Sequence, residues 1–243
     1  MKMNFTSPIW LQSASNVGGE SAYQLLTLNF VSPNQSALIT CSGNIIVTSV
    51  KNGDNITTEY SNLTNQNISF ENDANTSVSI KGNVLILTGG TGPFRLQDVD
   101  SITLSNAVHL TDINCFNSKI ASIDTGSAPN LKRINFGSCT NLQQVDFSQN
   151  KKLEDLTLSS CVSITSLDIF SNDKLNSLSL YGITNLIRIK VNAINETIAT
   201  EVAHYISESP VSSGTIVLAN IAEYNSVIID AATEKGWEVQ YAE

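Results

Sequence analysis

Three aspartates that lie 22 residues apart are the side chains of this chain best placed to do chemistry: Asp124, Asp146 and Asp168. Because the interval is constant, we expect their carboxylates to stack in register on one strand face, where like charges repel unless they are compensated. One interpretation is a site for a divalent cation or a basic partner. The other, which we favour, is a solvated ladder whose carboxylates are hydrogen-bonded to neighbouring Ser and Thr.

The remaining reactive residue types form no catalytic or metal-binding pattern. His109 and His204 belong to no H-x-x-x-H, H-E-x-x-H or C-x-x-C signature, and no serine lies in G-x-S-x-G. Four cysteines are too few for a disulfide scaffold in a chain of 243 residues. Cys139 and Cys161 lie 22 residues apart, and we predict that both are buried, free thiols. The sequence therefore predicts no catalytic residue, no metal and no cofactor, and favours a protein that is not an enzyme.

Composition and charge exclude other function classes. The net charge of −9, with no cluster of Lys and Arg, argues against nucleic acid as a partner. No apolar run approaches the roughly 18–20 residues that a transmembrane helix needs, so we expect no membrane insertion. The first twenty residues also lack the apolar stretch of a signal peptide.

An apolar pattern that recurs about every 11 residues positions these side chains. Counted from its first apolar residue, each half-repeat is apolar at positions 1 and 4 and apolar or small at position 6. The alternation across position 5 predicts one short strand with one buried face. We expect strands at about 134–136, 145–147, 156–158, 167–169 and 178–180, in two parallel ladders without helices. The first positions are Val99, Leu110, Ile120, Leu131, Leu142, Leu153, Ile164, Leu175 and Leu186.

The half-repeats fall into two classes, so the full repeat has 22 residues. Class 1 comprises the half-repeats that begin at Leu110, Leu131, Leu153 and Leu175, and class 2 comprises those that alternate with them. Class 2 carries the three aspartates at position 5, with Asn150 and Asn172 at position 9. We expect the Asn side chains to bond the turn backbone of their own and the adjacent repeat, with Cys139 and Cys161 filling position 9 in class 1.

These residues resemble the leucine-rich repeat. More narrowly, residues 99–191 are similar to the nested 22-residue (11+11) repeats of Bacteroides-type leucine-rich repeat proteins, in which an L-x-x-L-x-C-x-x-N half alternates with an L-x-x-L-D-V-S-x-N half. Ile113–Cys115 matches the first half, and Val145–Asp146 and Leu167–Asp168 match the second. The resemblance implies a solenoid and a role in interaction or adhesion rather than one shared activity. Ser118 and Ala128 depart from the pattern, where Asn is usual.

The two ends of the chain have other patterns. Strand-like runs predict a small β domain over 1–90 that also caps the solenoid of 91–191. Residues 192–243 predict a βαβαβ-type cap that continues the solenoid, with Asn195 as the first N-cap and Gly236 ending the second helix. The fold class is therefore β-rich α+β, a leucine-rich repeat solenoid between two caps. The C-terminal segment also resembles the tails of leucine-rich repeat proteins and of phage-tail-associated proteins.

The function that follows is a non-enzymatic binding or adhesion module recognising a protein or glycan. We expect it to be monomeric and extracellular or on the cell surface. The alternative is a structural, virion-associated component of a phage tail. Binding is predicted to use the outward positions 3, 5 and 7 of class 1, because they combine hydroxyls, amides and two aromatic anchors. The alternative binding face is that of class 2, with its aspartates. The predicted binding residues are Asp112, Asn114, Phe116, Arg133, Asn135, Asp155, Thr157, Ser177, Ser179 and Tyr181.

Overall fold

The computed structural model describes residues 24–88, 96–192, 195–220 and 224–242. The chain is β-rich, with 41% of residues in strands and 13% in helices, and its strands form mixed sheets. The predicted β-rich class with a small helical share is therefore confirmed. The predictions for residues 1–23, at the start of the expected N-terminal domain, lie outside the described residues.

The described residues form fifteen strands and two α-helices. The N-terminal strands are β1 (Leu25–Phe30), β2 (Ser36–Lys51), β3 (Asp54–Ser61), β4 (Gln66–Ser69), β5 (Thr76–Thr88) and β6 (Val99–Ser105). The strands of the repeats are β7 (Asp112–Asn114), β8 (Arg133–Asn135), β9 (Gln144–Asp146), β10 (Asp155–Thr157), β11 (Ser166–Ile169), β12 (Ser177–Ser179) and β13 (Arg188–Val191). The C-terminal elements are α1 (Glu196–Glu208), β14 (Thr215–Leu218), α2 (Asn225–Lys235) and β15 (Glu238–Tyr241).

The N-terminal strands pair antiparallel. Strand β2 pairs with β3, β4 and β5, and β1 lies between β5 and β6. The β2–β3 hairpin turns at Asn52 and Gly53, which both have positive φ (54° and 82°), as a two-residue turn that matches strand twist requires. At Gly82 the register with β2 shifts, and a Cβ there would lie 2.5 Å from the carbonyl oxygen of Asn44. Only glycine fits that bulge.

The repeats form two parallel ladders. Ladder 1 consists of the end of β5 (residues 86–88) followed by β7, β8, β10 and β12. Ladder 2 consists of β9, β11, β13, β14 and β15, and Ile123 forms an isolated parallel bridge to Ile102 of β6. From β8 to β13, successive strands of the chain alternate between the ladders. The prediction of two parallel ladders, with no helix in residues 110–180, is confirmed.

The predicted strand bounds are wrong by one residue. Strands β8, β9, β10 and β12 occupy positions 3–5 of their half-repeats rather than 4–6. The reason is that the carbonyl of position 6 turns into the loop: Phe136 accepts from the N–H of Cys139 at 3.0 Å, and Phe147 from Asn150 at 2.8 Å. The side chains of positions 1, 4 and 6 nonetheless join one hydrophobic cluster, in which Leu156 is fully buried.

Buried polar side chains tie neighbouring repeats together. The amide nitrogen of Asn150 donates to the carbonyls of Thr125 (3.1 Å) and Ala128 (2.9 Å), in the preceding repeat. Asn172 likewise donates to Phe147 (2.9 Å) and Asn150 (2.8 Å). These bonds satisfy backbone oxygens that would otherwise be unpaired inside the protein. The predicted bonds to the adjacent repeat are confirmed, whereas among the described residues neither amide bonds the backbone of its own turn.

The C-terminal elements continue ladder 2 in parallel. Strand β13 pairs with β14, and β14 pairs with β15. The side chain of Asn195 accepts from the N–H of Ile198 at 2.9 Å, as a helix N-cap does. Helix α2 ends at Gly236, whose φ of 79° is the left-handed conformation of a C-cap. The predicted order of strand, helix, strand, helix and strand is confirmed, and so are both caps.

Candidate binding surface

The predicted binding residues come from the four class 1 strands. In each strand the middle residue is buried, whereas the first and third residues project from the other face of ladder 1. Phe116 and Tyr181 follow two residues after β7 and β12. Seven of the ten line one groove of about 390 Å³. Those seven are Asp112, Asn114, Arg133, Asn135, Asp155, Thr157 and Ser177.

An ion pair at the first strand position sets the charge of this groove. The guanidinium Nε of Arg133 contacts the Oδ1 of Asp112, whose Oδ2 accepts from the Thr111 hydroxyl at 2.5 Å. Asp112 is only 7% exposed, whereas the Arg133 side chain is 57% exposed. Asp112 therefore faces the groove, as its strand position predicts, but the long Arg133 side chain covers it. Asp155 lies on the other side of Arg133 in register.

The column at the third strand position is uncharged and consists of Asn114, Asn135, Thr157 and Ser179. The Oδ1 of Asn114 accepts from the N–H of Phe116 at 3.1 Å, and the Oδ1 of Asn135 accepts from Gly137 at 2.9 Å. These are Asx turns, so the oxygen of each amide is engaged by the backbone. The NH₂ group of each amide has no hydrogen-bond partner among the described residues.

Two aromatic side chains project at the ends of the next column, which runs through Phe116, Gly137, Ser159 and Tyr181. Phe116 is 47% exposed and Tyr181 is 80% exposed. Phe116 lies against Gly137, because a Cβ at that glycine would be 3.1 Å from Phe116 Cδ2. The Ser159 hydroxyl bonds the Ser179 hydroxyl at 2.7 Å. The prediction from sequence missed Gly137 and Ser159; the signal was their place at position 7, between the two aromatic residues.

The aspartates of class 2 cap their own turns on the other ladder. The Oδ1 of Asp124 accepts from the N–H of Gly126, and that of Asp146 accepts from Ser148, both at 2.8 Å. Asp168 does the same with Phe170 at 3.0 Å. The expectation that neighbouring Ser and Thr residues bond these carboxylates holds only for Asp146, whose donor is the backbone N–H of Ser148. In all three aspartates the donor is the backbone N–H group two residues further on.

A lysine, which the sequence reasoning missed, ends the aspartate column. Lys190 follows Asp168 in the register of ladder 2, with its Nζ 3.6 Å from Asp168 Oδ2 and 4.9 Å from the centre of the Phe170 ring. Phe170 belongs to class 2 and so lies on a different ladder from Phe116 and Tyr181. Among the described residues, no group of three or more His, Cys, Asp or Glu side chains is arranged to hold a metal ion.

The cysteines lie in the interior. Cys41, Cys115, Cys139 and Cys161 are all buried and free, which confirms the prediction for the last two. The thiol of Cys139 bonds the carbonyl of Cys115 at 3.1 Å, and that of Cys161 bonds the carbonyl of Phe136 at 3.0 Å. Burial raises the pKa of the Cys139 thiol and raises the pKa of Cys161 to about 12. Neither thiol is a thiolate at neutral pH.

Comparison with protein-family models, with curated proteins and with solved structures found no match. Neither described helix has the length and apolar character needed to cross a membrane. The two histidines are exposed, His109 shortly before β7 and His204 in α1.

Proposed function

We propose that this chain is a leucine-rich repeat protein of the nested 22-residue type and that it acts as a non-catalytic binding module. Two observations support the repeat assignment. From β7 to β12, partner residues in adjacent strands of ladder 1 lie 21 or 22 residues apart, as with Arg133 and Asp155. Asn150 and Asn172 bond the preceding turn in the same way, 22 residues apart. Such a stack of repeats builds one extended face, which suits recognition of a macromolecule.

The observation that carries the binding proposal is the groove on ladder 1. It gathers seven side chains that the repeat pattern predicts to face outward, and two exposed aromatic rings lie in the adjacent column. Exposed aromatic side chains together with an Arg are the residue types that anchor binding partners. Ladder 2 also has a groove, of about 430 Å³, but its lining is acidic and includes Asp124, Asp146 and Asp168.

The proposal that the protein is not an enzyme draws support from its nucleophile candidates. Burial raises the pKa of the Cys115 thiol well above its ordinary value and that of Cys161 to about 12, so these thiols stay protonated at neutral pH. A protonated, buried thiol is a poor nucleophile. The hydroxyls of Ser159 and Ser179 bond each other rather than a general base.

We further propose that the protein acts outside the cell or at the cell surface, as a monomer. Selective labelling of intact cells, followed by fractionation, tests that location. The alternative role in a phage tail stays a prediction, and the genes beside this one discriminate: envelope or polysaccharide-uptake genes favour a surface module, whereas tail and baseplate genes favour the particle.

The experiment that tests the binding face compares two double variants, one with two substitutions on ladder 1 and one with two on ladder 2. A partner is first identified by pull-down and by glycan array with the full chain. Phe116→Ala with Tyr181→Ala removes the exposed rings of ladder 1, whereas Asp146→Asn with Asp168→Asn changes ladder 2 and keeps the capping oxygens. Loss of binding in the first variant alone supports the proposal. Loss only in the second variant, or turnover that requires His109 or His204, overturns it.

A further inference from the structure

We infer that the groove of ladder 1 binds a neutral oligosaccharide, and this inference rests on the proposed role of ladder 1 as the binding face. The first observation is the direction of two amides. The Oδ1 atoms of Asn114 and Asn135 accept from the backbone within their Asx turns. An amide whose oxygen faces its own turn directs its NH₂ group away from that turn. The groove therefore presents donors that have no partner among the described residues, and sugar hydroxyls and ring oxygens accept from such donors.

The second observation is that a carboxylate and a guanidinium lie on adjacent strands. Asp155 pairs in register with Arg133, at a strand spacing of about 4.8 Å. The pairing of Arg133 with Asp112 uses its Nε, which leaves the terminal nitrogens of the exposed guanidinium as donors. A sugar hydroxyl both donates and accepts, so one hydroxyl can bond Asp155 while its neighbour accepts from Arg133.

The charge of the protein favours a ligand without charge. Within the groove Asp112 offsets Arg133, which leaves the half-buried Asp155 as the uncompensated charge, and the whole chain carries −9. An acidic ligand is repelled by Asp155 and by the negative net charge of the chain. A basic ligand has no cluster of carboxylates to bind here, because the aspartate column lies on ladder 2. A neutral polyhydroxyl ligand uses the donors and acceptors of the groove at no cost in repulsion.

The aromatic side chains have the spacing of two stacking platforms. Phe116 and Tyr181 lie three strands apart along ladder 1, so about 14 Å separates them at the usual strand spacing. The Phe116 ring lies against Gly137, and the small side chain of Ser159 comes between it and Tyr181. The apolar face of a sugar ring packs against an exposed aromatic ring, so a short linear glycan can contact both rings while its hydroxyls reach the groove.

A protein partner fits this surface less well. The core of a protein interface is apolar, with the polar residues at its rim. On ladder 1 the order is reversed, because Asn135 and Thr157 lie in the middle and the aromatic rings at the ends. An extended peptide cannot add as a strand here either, since β7, β8 and β10 are each paired on both edges.

The experiment uses the full chain on an array of neutral oligosaccharides, with uronic-acid and sulfated oligosaccharides on the same array, followed by titration calorimetry with each neutral hit. Asn135→Asp keeps the oxygen that caps Gly137 and removes the two outward donors; the aspartates of ladder 2 show that Asp makes the same turn. Its matched control is Asp146→Asn, the reverse exchange at the same repeat position of ladder 2. We expect about tenfold weaker binding in Asn135→Asp, since a lost hydrogen bond to a ligand is typically about that large, and unchanged binding in the control.

Tyr181→Ser gives a second reading, because its exposed side chain can be removed without disturbing the fold; we again expect about tenfold weaker binding, the size of one aromatic anchor. Three results would overturn the inference of a neutral oligosaccharide ligand: no neutral hit on the array, tighter binding of the anionic glycans, or full affinity in both variants. A protein ligand whose binding is lost in Tyr181→Ser overturns the inference of a glycan ligand but supports the proposed role of ladder 1 as the binding face. A ligand whose binding is lost only in Asp146→Asn overturns both the inference of a glycan ligand and the proposed role of ladder 1 as the binding face.

Discussion

The carboxylate of Glu201 accepts a hydrogen bond from the backbone N–H of Leu180, with Oε1 and N 2.7 Å apart. One repeat earlier, the equivalent N–H of Leu158 bonds the carbonyl of Ser179, 21 residues further along the chain, at 2.9 Å. Glu201 lies the same 21 residues after Leu180. Its side chain therefore occupies the place of the carbonyl that one more strand of ladder 1 would supply, and α1 closes the ladder with an acceptor from a helix.

Replacing Glu201 is expected to loosen this end of ladder 1. Glu201→Ala leaves the N–H of Leu180 without its acceptor, which costs about 1–3 kcal/mol for a buried donor. Glu201→Gln keeps an oxygen at the same place and is expected to lose much less. Urea unfolding of the three proteins measures the difference. Equal losses in the two variants would mean that the charge, rather than the hydrogen bond, is what matters.

The two buried Asn side chains are expected to differ in their sensitivity to a neighbour. The Oδ1 of Asn150 accepts from the Thr125 hydroxyl at 2.6 Å. The Oδ1 of Asn172 has no hydrogen-bond partner among the described residues, because the equivalent position of the repeat before it is Phe147 rather than Thr. Thr125→Val leaves the Oδ1 of Asn150 unpaired as well, at a cost of about 1–2 kcal/mol.

The matched control for that variant is Thr165→Val, which also removes a hydroxyl from the repeats. The Thr165 hydroxyl is exposed and lies 3.4 Å from the carbonyl of Gln143, so we expect a change within about 0.5 kcal/mol. Thermal unfolding followed by circular dichroism ranks the two. A loss in Thr165→Val as large as in Thr125→Val would contradict the role given to the Thr125–Asn150 bond.

A core substitution in the middle of ladder 1 is expected to be severe. Leu156 is fully buried and is paired with Ile134 on one side and Leu178 on the other. Leu156→Ala therefore leaves a cavity that both neighbours line, at a cost of about 2–5 kcal/mol. Denaturant unfolding measures it, and a loss below about 1 kcal/mol would mean that the site collapses around the smaller side chain.

The buried thiols are expected to make the fold sensitive to alkali. The pKa of Cys161 rises from 9.0 to about 12 through burial, so the unfolded chain releases this proton at lower pH than the folded one. The stabilisation is complete below about pH 9 and is lost as the pH rises from about 9 to 12. Cys161→Ala removes this component, so its stability should fall less steeply over that range.

Thiol reagents provide an independent check of the same burial. Native protein at pH 8 should react with less than one reagent per chain, and all four cysteines should react once it is unfolded. Stoichiometric labelling of the native protein, or a disulfide between Cys139 and Cys161 in mass spectrometry, would show that the thiols are accessible.

The repeat pattern was enough to predict which residues pair and which are buried, because an 11-residue period leaves room only for a strand and a turn. It could not fix the strand bounds, since these depend on where the carbonyl of position 6 goes. In Phe136 that carbonyl is taken by the turn at Cys139. The burial of Asp112 was not predicted for a related reason. A position that faces outward can still be covered by a long side chain of the adjacent strand, as Arg133 covers Asp112.

Neither the pairing of the N-terminal strands nor the contact of Glu201 with the end of ladder 1 could be predicted from the sequence. Strand β1 pairs with β5 and β6, and antiparallel partners separated by 46 to 80 residues carry no local signature. Glu201 lies in an amphipathic helix among other polar residues, where a carboxylate ordinarily faces solvent. Only its offset of 22 residues from Ser179 distinguishes it, and that offset has meaning once the ladder is known.

The alternation of strands between the two ladders also constrains how the gene can change in length. Loss or duplication of 66 base pairs, one full 22-residue repeat, leaves every later strand on its own ladder. Loss of 33 base pairs within the repeats moves the later strands, as far as β13, to the opposite ladder, which would bring the aspartates of class 2 into the groove beside Arg133. Unequal recombination can therefore lengthen or shorten the protein only in whole repeats, and each such event adds or removes one strand of the recognition surface.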